Sequence, residues 1–293
     1  FEHASHVTQS VAKLMARVVT PDSIDYEVMR YKKQTGEAQL HEYTYGITSD
    51  PLIHFACIYS ALIHDVDHSG LPNANLIECN QELADRYKKK SVAEQNSVDL
   101  SWELLMEPRF VDLRGCIYMD QEEMDRFRQL VVNSVMATDI ADKELGALRR
   151  KRWETAFDQS ALPSDTLELQ RDSVNRKATI VIEHLIQASD VSHTMQHWHV
   201  YRKWNEKLFH EMYRAYTEGK SEKDPSIGWY EGELGFFDFY IIPLARKLQE
   251  CGVFGVSSAE YLNYAKANRK EWETRGEESV VKYLKNYTGP RNK

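Results

Sequence analysis

Apolar residues recur along most of this chain at the three- and four-residue spacing of a helix face. Near the amino end, Val7, Val11, Leu14 and Val18 fall on one such face, and Pro21 ends the pattern. Glycine and proline are sparse, with 13 Gly and 8 Pro among 293 residues, so long stretches have no helix breaker. The pattern predicts an all-α fold.

Capping residues predict where several helices begin. Asp50 followed by Pro51 predicts a helix over 52–65, and Asn73 predicts a helix to about residue 88. Ser91 with Glu94 has the form of a capping box, which predicts a helix to about residue 106. Further helices are expected at 120–139, 141–157, 236–250 and from Ser257-Ser258 through the 270s, with two long helices within 167–216.

Polar segments at 21–49, 158–166 and 217–228 are expected to be loops, and 287–293 a frayed tail. No internal repeat or low-complexity linker divides the chain. We therefore expect a single domain over 1–293.

Composition narrows the classes of function. The chain has 42% apolar and 28% charged residues, which is typical of a soluble globular protein. Its net charge of −8 argues against nonspecific nucleic-acid binding, and no apolar run reaches the roughly 18 residues of a membrane span. The four cysteines are scattered, which favours reduced thiols in a cytosolic protein over a disulfide framework or a cysteine-rich zinc site.

The segment 61–70, ALIHDVDHSG, carries the strongest candidate chemistry. His64 and His68 are four residues apart and share a helix face, and Asp65 and Asp67 lie beside them. Charge at the end of an apolar helix is costly unless it is paired or bound to metal, and imidazole with carboxylate suits zinc, iron or manganese. A helix end with solvated charges is the alternative for a lone His-Asp pair, but the whole cluster favours metal.

Three other segments add candidates: FEHASHV at 1–7, MATD at 136–139 and QASDVSH at 187–193. Asp190 lies in a long apolar helix, where a lone acid is more often a buried, hydrogen-bonded group than a ligand. His3, close to the chain end, would alone be taken for a surface residue.

Taken together and in order, these segments resemble the catalytic domain of the class I 3',5'-cyclic nucleotide phosphodiesterases, within the wider HD superfamily. The resemblance covers nearly the whole chain. Its matching pieces are His3-Ala4, the segment from Ala61 to Asn73, Ser91 to Glu94, Ala137 to Asp139, Ala188 to Asp190, Tyr201 to Trp204, and Gly235-Phe236. Each piece is modest, but their order makes the signal specific.

The resemblance implies a site with two divalent metals. His3, His64, Asp65 and Asp190 would bind the first metal, typically zinc, and Asp65 would bridge to a second, magnesium or manganese. The positions that would orient metal-bound waters and ligands during catalysis are His68, Glu94, Thr138 and Asp139. The general acid of the family is a histidine four residues before His3, outside this chain, so we expect an excised domain that binds metal and turns over poorly.

The resemblance also implies a nucleotide pocket. The base would lie between Phe236 and Leu208, with Asn73 and His193 near the phosphate or base, although ordinary core packing is the alternative for Phe236 and Leu208. Glu233 stands where many members have a glutamine that reads the purine. An ionised carboxylate only accepts hydrogen bonds, so the choice between cAMP and cGMP stays open, and Glu233 could instead face solvent.

The expected function is metal-dependent hydrolysis of 3',5'-cyclic nucleotides to 5'-nucleoside monophosphates, which terminates a cyclic nucleotide signal. The alternatives are an HD-type phosphohydrolase acting on noncyclic nucleotides and a noncatalytic cyclic nucleotide sensor. The stretch around Gly235 is similar to members fused to a nucleotide cyclase behind a membrane segment. We therefore expect a cytoplasmic domain, without nucleic-acid or membrane contact of its own, in a membrane-anchored parent chain.

Overall fold

The computed structural model describes residues 1–18, 47, 50–157 and 167–290, except for the side chains of 167–175 and 255–257. All regular elements of these ranges are helical, which confirms the predicted all-α class. The predicted loops at 21–49 and 158–166 lie, apart from Ile47, outside the described residues.

Thirteen α-helices are found in the described ranges. They are α1 (Glu2–Met15), α2 (Pro51–Ile63), α3 (Asn73–Cys79), α4 (Gln81–Arg86), α5 (Val92–Met106), α6 (Val111–Ile117), α7 (Gln121–Met136), α8 (Lys143–Ala156), α9 (Leu167–Asp190), α10 (Trp198–Thr217), α11 (Trp229–Phe236), α12 (Ile242–Glu250) and α13 (Gly255–Asn286). Short 3-10 turns occupy Pro108–Phe110 and Ser192–Met195, and a π turn occupies Phe237–Ile241.

The largest hydrophobic core is built around α9. Val181, Leu185 and Ile186 of this helix are fully buried, and Val7 and Val11 of α1 pack into the same cluster. The helix α1 also packs on α2, and α13 packs on α10, α11 and α12. This packing brings the start of α1 to the ends of α2 and α9, where the candidate ligands lie.

One predicted helix is divided in two, and two predicted capping interactions are wrong, in each case because a side chain has another partner. The helix expected from Asn73 to about residue 88 is broken at Asn80, whose Oδ1 accepts the Leu83 amide and caps α4. Asn73 is the first residue of α3 and not its cap. Ser91 has a φ of +37° and no capping hydrogen bond, while Glu94 accepts from Asn73, so the predicted capping box is absent.

The carboxyl-terminal part differs from prediction at two helix boundaries and at the tail. The expected helix over 236–250 is interrupted by the π turn, and Pro243 lies in the first turn of α12, where its missing N–H costs least. The last helix begins at Gly255, before the predicted Ser257-Ser258 cap. Tyr287 is 2% exposed and packs edge-on against Tyr213, so the tail is not frayed at this residue.

Candidate active site

Four side chains predicted as metal ligands converge at one point. The Nε2 atom of His3 lies 2.9 Å from Oδ1 of Asp190 and 3.5 Å from Oδ2 of Asp65. The Nε2 atom of His64 lies 3.2 Å from the same Asp65 oxygen and 3.5 Å from the same Asp190 oxygen. The two Nε2 atoms are 3.3 Å apart. Residues separated by up to 187 positions therefore share one small volume.

Helix ends deliver these four side chains. His3 lies in the first turn of α1, His64 is the C-cap of α2 with Asp65 directly after it, and Asp190 is the last residue of α9. Side chains at helix ends can meet at the junction of three packed helices without disturbing the apolar interior. The sequence therefore places ligands where each amphipathic pattern stops.

The donor set fits a divalent ion. The Nδ1 of His64 lies 2.9 Å from the carbonyl oxygen of Ala61, which can only accept, so Nδ1 carries a proton. The Nε2 atom faces the cluster, where it can bind a metal ion once it is deprotonated. Four nitrogen and oxygen ligands bound at about 2.0–2.2 Å around a tetrahedral ion lie roughly 3.3–3.6 Å apart. The five separations that join the two imidazoles to each other and to the carboxylate oxygens are 2.9–3.5 Å, at or slightly below that spacing. This His and Asp group could therefore hold a metal ion.

The electrostatics of the cluster point the same way. Burial opposes a charge on His64, yet its hydrogen bonds with Asp190 and Asp65 raise the pKa of His64 to about 11. Burial alone would raise the pKa of Asp190, but His3 and His64 hold it far below its usual range. The two carboxylates thus stabilise positive charge between them, which a bound cation also supplies.

A second group of predicted residues is joined by Asn73. Its Nδ2 donates to Glu94 Oε2 at 2.8 Å and lies 3.3 Å from Asp139 Oδ2, while its Oδ1 accepts the Ala93 amide at 2.9 Å. Burial, the largest cause, and the charge of Asp139 raise the pKa of Glu94, whereas the Asn73 hydrogen bond lowers it. Asn73 therefore holds two buried or half-buried acids close together.

The turn that carries Thr138 and Asp139 is anchored by residues that the sequence did not single out. Arg149 donates to the carbonyl oxygens of Met136 and Asp139, and Gln187 of α9 donates to that of Ala137. Asp139 also accepts the amides of residues 141 and 142. The hydroxyl of Thr138 donates within the turn, to Val135.

The loop after Asp65 is held by α5. Asn96 donates to Asp67 Oδ2 at 3.0 Å, and Ser97 donates to the Val66 carbonyl at 2.7 Å. Asp67 has a φ of +61°, a left-handed conformation that aspartate tolerates better than most residues. Asn96 and Ser97, which no sequence motif marked, therefore fix the loop that follows the candidate ligand Asp65. His68 is exposed, and its Nδ1 accepts the Gly70 amide.

The indole ring of Trp204 lies beside the candidate metal ligand His3 and contacts two further histidine rings. Its ring centroid lies 5.9 Å from that of His3, 5.0 Å from His6 and 6.1 Å from His193. The Nδ1 of His193 is buried without a hydrogen-bond partner in the described part of the chain, and burial lowers the pKa of His193 to about 3. A neutral imidazole therefore lies next to the candidate metal centre. Trp204 belongs to the Tyr201–Trp204 motif, but the motif did not indicate its place.

Glu233 is buried, which excludes the solvent-facing alternative. Tyr201 donates to Glu233 Oε2 at 2.7 Å, and Asn205 also hydrogen-bonds Glu233. The Nε1–H of Trp229 donates to Asn205 Oδ1, so the amide nitrogen of Asn205 is the atom left for Glu233. Burial raises the pKa of Glu233 to about 7, although both hydrogen bonds lower it.

The two residues expected to clamp a base lie on neighbouring helices. Phe236 is half-buried at the end of α11 and stacks on Tyr240 with ring centroids 5.3 Å apart. Leu208 is 45% exposed on α10. It follows Trp204 by four residues and Tyr201 by seven, so it shares the helix face that meets His3 and Glu233.

Comparison with known proteins agrees with this arrangement. The sequence profile of the 3'5'-cyclic nucleotide phosphodiesterase family matches residues 1–253. The chain belongs to this family. Among curated members, it is 26% identical over 256 residues to a probable 3',5'-cyclic-AMP phosphodiesterase, pde-4, of Caenorhabditis elegans, covering 83% of this chain and 32% of that protein. The resemblance predicted from the motifs is thus confirmed.

Other members differ in their stated substrates. The chain is 24% identical over 200 residues to the mouse dual specificity calcium/calmodulin-dependent 3',5'-cyclic nucleotide phosphodiesterase 1C, covering 64% of this chain and 25% of that protein. The chain spans about a third of the length of pde-4 and a quarter of the mouse protein.

A solved structure shares the fold of this family member. The phosphodiesterase domain of the RhoPDE fusion protein from the choanoflagellate Salpingoeca rosetta aligns with a TM-score of 0.67 at 20% identity, covering 97% of this chain and 78% of that one. Within the described ranges, no helix combines the length and apolarity needed to cross a membrane.

Proposed function

We propose that this chain is a single catalytic domain that hydrolyses 3',5'-cyclic nucleotides, cAMP, cGMP or both, to 5'-nucleoside monophosphates in a metal-dependent reaction. The observation that carries the proposal is the convergence of His3, His64, Asp65 and Asp190. The two imidazole Nε2 atoms lie within 2.9–3.5 Å of each other and of one oxygen from each aspartate. Family membership gives that convergence its chemical meaning.

In this proposal, these four side chains hold the first metal, zinc. Asp65 is 39% exposed, whereas His64 is 1% exposed, so Asp65 is the ligand best able to reach a second metal, magnesium or manganese. Magnesium keeps several waters, and such a water-rich ion suits a site open on the side of Asp65. The side chains of this cluster would hold two such ions, which when bound would supply Lewis acid chemistry at the phosphate and at a bound water.

The residues around the metals position what binds there. Glu94 and Asp139, joined by Asn73, provide carboxylate oxygens that can accept hydrogen bonds from waters of the second ion. His68 is exposed at the loop after Asp65 and can hydrogen-bond a water or a phosphate oxygen. Thr138 fixes the turn that carries Asp139.

The nucleotide base would lie against Phe236, with Leu208 on its other side. Glu233 would face the base edge, and Tyr201 with Asn205 fixes its carboxyl group. The neutral His193 has a buried ring nitrogen free to hydrogen-bond the nucleotide, since it has no partner within the described residues. Asn73 would act on the phosphate side of the nucleotide, because it positions the carboxylates of Glu94 and Asp139.

The wider context is also a proposal. A cytoplasmic location fits a domain without a membrane-spanning helix in its described residues. The solved relative is named a rhodopsin phosphodiesterase fusion, which favours a parent chain with a membrane-embedded sensor. The fusion to a nucleotide cyclase, expected from the sequence, stays a prediction.

Product analysis separates this function from its alternatives. Purified protein with zinc and magnesium would be incubated with cAMP, cGMP and a panel of noncyclic nucleotides, and the products separated by chromatography. We expect conversion of the cyclic nucleotides alone, to 5'-monophosphates. Conversion of noncyclic nucleotides alone would identify an HD-type phosphohydrolase, and tight binding of cyclic nucleotides without conversion would identify a sensor.

A further inference from the structure

The hydroxyl of Tyr240 is buried without a hydrogen-bond partner among the described residues. Three other tyrosines of the core differ in this respect: Tyr201 donates to Glu233, Tyr59 to the Ser101 carbonyl and Tyr283 to the Arg202 carbonyl. A buried hydroxyl without a partner lowers stability, so such groups are rare in folded proteins and commonly have a functional reason.

Tyr240 lies at the border of the candidate active site. Its ring stacks on Phe236 at an interplanar angle of 15°, on the residue proposed to hold the base. Burial, and after it the charge of Asp190, raises the pKa of Tyr240, while Arg149 opposes this effect. The phenol thus lies within the electrostatic influence of the candidate metal ligand Asp190 and of the arginine that anchors the Asp139 turn.

The backbone at this position is unusual. Tyr240 belongs to the π turn Phe237–Ile241, and π turns within helices are frequent at functional sites. Glu233 and Tyr240 are seven residues apart with Phe236 between them, which corresponds to about 10 Å of helical rise. Polar groups thus lie on both sides of the aromatic ring that would stack on a base.

We propose that the Tyr240 hydroxyl hydrogen-bonds the cyclic nucleotide that lies against Phe236, and so acts as a substrate-positioning residue. The inference rests on the proposed function. The bound nucleotide would supply the hydrogen-bond partner that the hydroxyl lacks in the free protein. Binding would therefore remove the free-energy cost of a buried hydroxyl without a partner.

The test is the variant Tyr240→Phe, which keeps the ring and its stacking. Binding of cAMP and cGMP would be measured by calorimetry on metal-stripped protein, so that no turnover occurs, together with thermal unfolding of the free protein. We expect binding of at least one cyclic nucleotide to weaken roughly 3- to 10-fold. Because the hydroxyl has no partner in the free protein, its removal should also raise the melting temperature by about 1–4 °C. In the metal-loaded enzyme, KM should rise by the same factor and kcat should change little.

The matched control is Tyr59→Phe, which removes a hydroxyl that does have a partner, the Ser101 carbonyl, and that belongs to no residue assigned to the site. This control should lower the melting temperature and leave nucleotide binding unchanged. Unchanged binding in Tyr240→Phe, whatever its stability, would overturn the inference while leaving the proposed function intact. Weaker binding by Tyr240→Phe in a protein that hydrolyses neither nucleotide would support the inference and contradict the proposed reaction. A metal-loaded wild-type protein that neither binds nor converts either nucleotide would overturn both.

Discussion

Asp190 and Glu233 are two buried acids with opposite electrostatic surroundings. Asp190 lies between two imidazoles, whose hydrogen bonds outweigh burial and hold its pKa far below the usual range. Glu233 has only neutral partners, a phenol and an amide, and burial raises its pKa to about 7. Asp190 is therefore ionised at neutral pH, whereas Glu233 is close to its midpoint.

The difference shows that burial alone does not fix the role of an acid. A carboxylate held ionised beside imidazole nitrogens suits a cation, whereas a carboxyl group balanced between its two forms suits a neutral, polar ligand. The same contrast separates the two halves of the candidate site, the metal side and the base side.

The largest expected effect comes from removing the acid on the metal side. Mutation of a residue that orients a metal ligand typically lowers activity roughly 10- to 100-fold. Loss of a ligand itself should therefore lower activity at least about 100-fold. We therefore expect Asp190→Ala to lose hydrolysis of cAMP and cGMP by at least that factor, together with bound zinc measured by mass spectrometry.

The matched control for Asp190→Ala is Asp238→Ala. Asp238 is an exposed aspartate that pairs with Arg269 away from the cluster, and its removal should leave both readouts unchanged. Retention of zinc and activity by Asp190→Ala would show that Asp190 is a structural acid only.

Asn73 provides an intermediate case, because it joins two acids that lack a cationic partner in the described network. Removal of its amide from Glu94 and Asp139 leaves two like charges without the donor between them. We expect Asn73→Ala to lower activity about 10- to 100-fold and to raise the magnesium concentration needed for half-maximal rate. The control is Gln81→Ala, which removes an exposed side-chain amide that donates to Asp85 and should leave activity unchanged. A fall in kcat with an unchanged magnesium requirement would contradict a role at the second metal.

The smallest effect on the hydrolysis rate is expected for Glu233→Gln, on the base side of the site. Its main effect should be on how the free energy of unfolding depends on pH. The pKa of Glu233 is about 7 in the folded protein against an ordinary value of 4.5, so the folded state holds this proton more tightly than the unfolded state. Its contribution to stability is present below about pH 4.5 and is lost as pH rises through about 7. Wild type should thus lose roughly 3 kcal/mol of unfolding free energy relative to Glu233→Gln between pH 4 and pH 8.

Denaturant unfolding at both pH values measures this difference, with Glu231→Gln as the exposed control. The ratio of cAMP to cGMP hydrolysis should also change in Glu233→Gln, by a few fold, because an amide can donate as well as accept. Parallel stability profiles and an unchanged ratio would show that Glu233 neither titrates in the fold nor reads the base.

The sequence predicted the helical class and most helices because amphipathic spacing is local. The predicted helix caps were wrong where a polar side chain forms its hydrogen bond with a residue far away in sequence. Ser91 and Glu94 matched a capping box, but Glu94 bonds Asn73, and the residue predicted as a cap, Asn73, is used in the same contact. Such choices depend on which helices pack together, and local spacing carries no information about that.

Of the candidate metal ligands, His64 and Asp65 could be selected from the residue pattern, whereas His3 and Asp190 were indicated only by the resemblance to the family. Their supporting residues could not be predicted. In the described part of the chain, the side chains of Arg149 and Gln187 donate to backbone carbonyls of the 136–139 turn, and no motif marks such contacts. The orphan hydroxyl of Tyr240 is defined by the absence of a described partner, which only a three-dimensional arrangement can show.

The most direct test of the central claim is hydrolysis of cAMP and cGMP by the intact chain before chelation, after complete chelation, and after zinc and magnesium are restored. We expect both metal-loaded states to convert at least one cyclic nucleotide to its 5'-monophosphate, at a low but measurable rate, and the chelated state to convert neither. Hydrolysis that persists after the metals are removed, or that never occurs in the metal-loaded protein, would contradict the account.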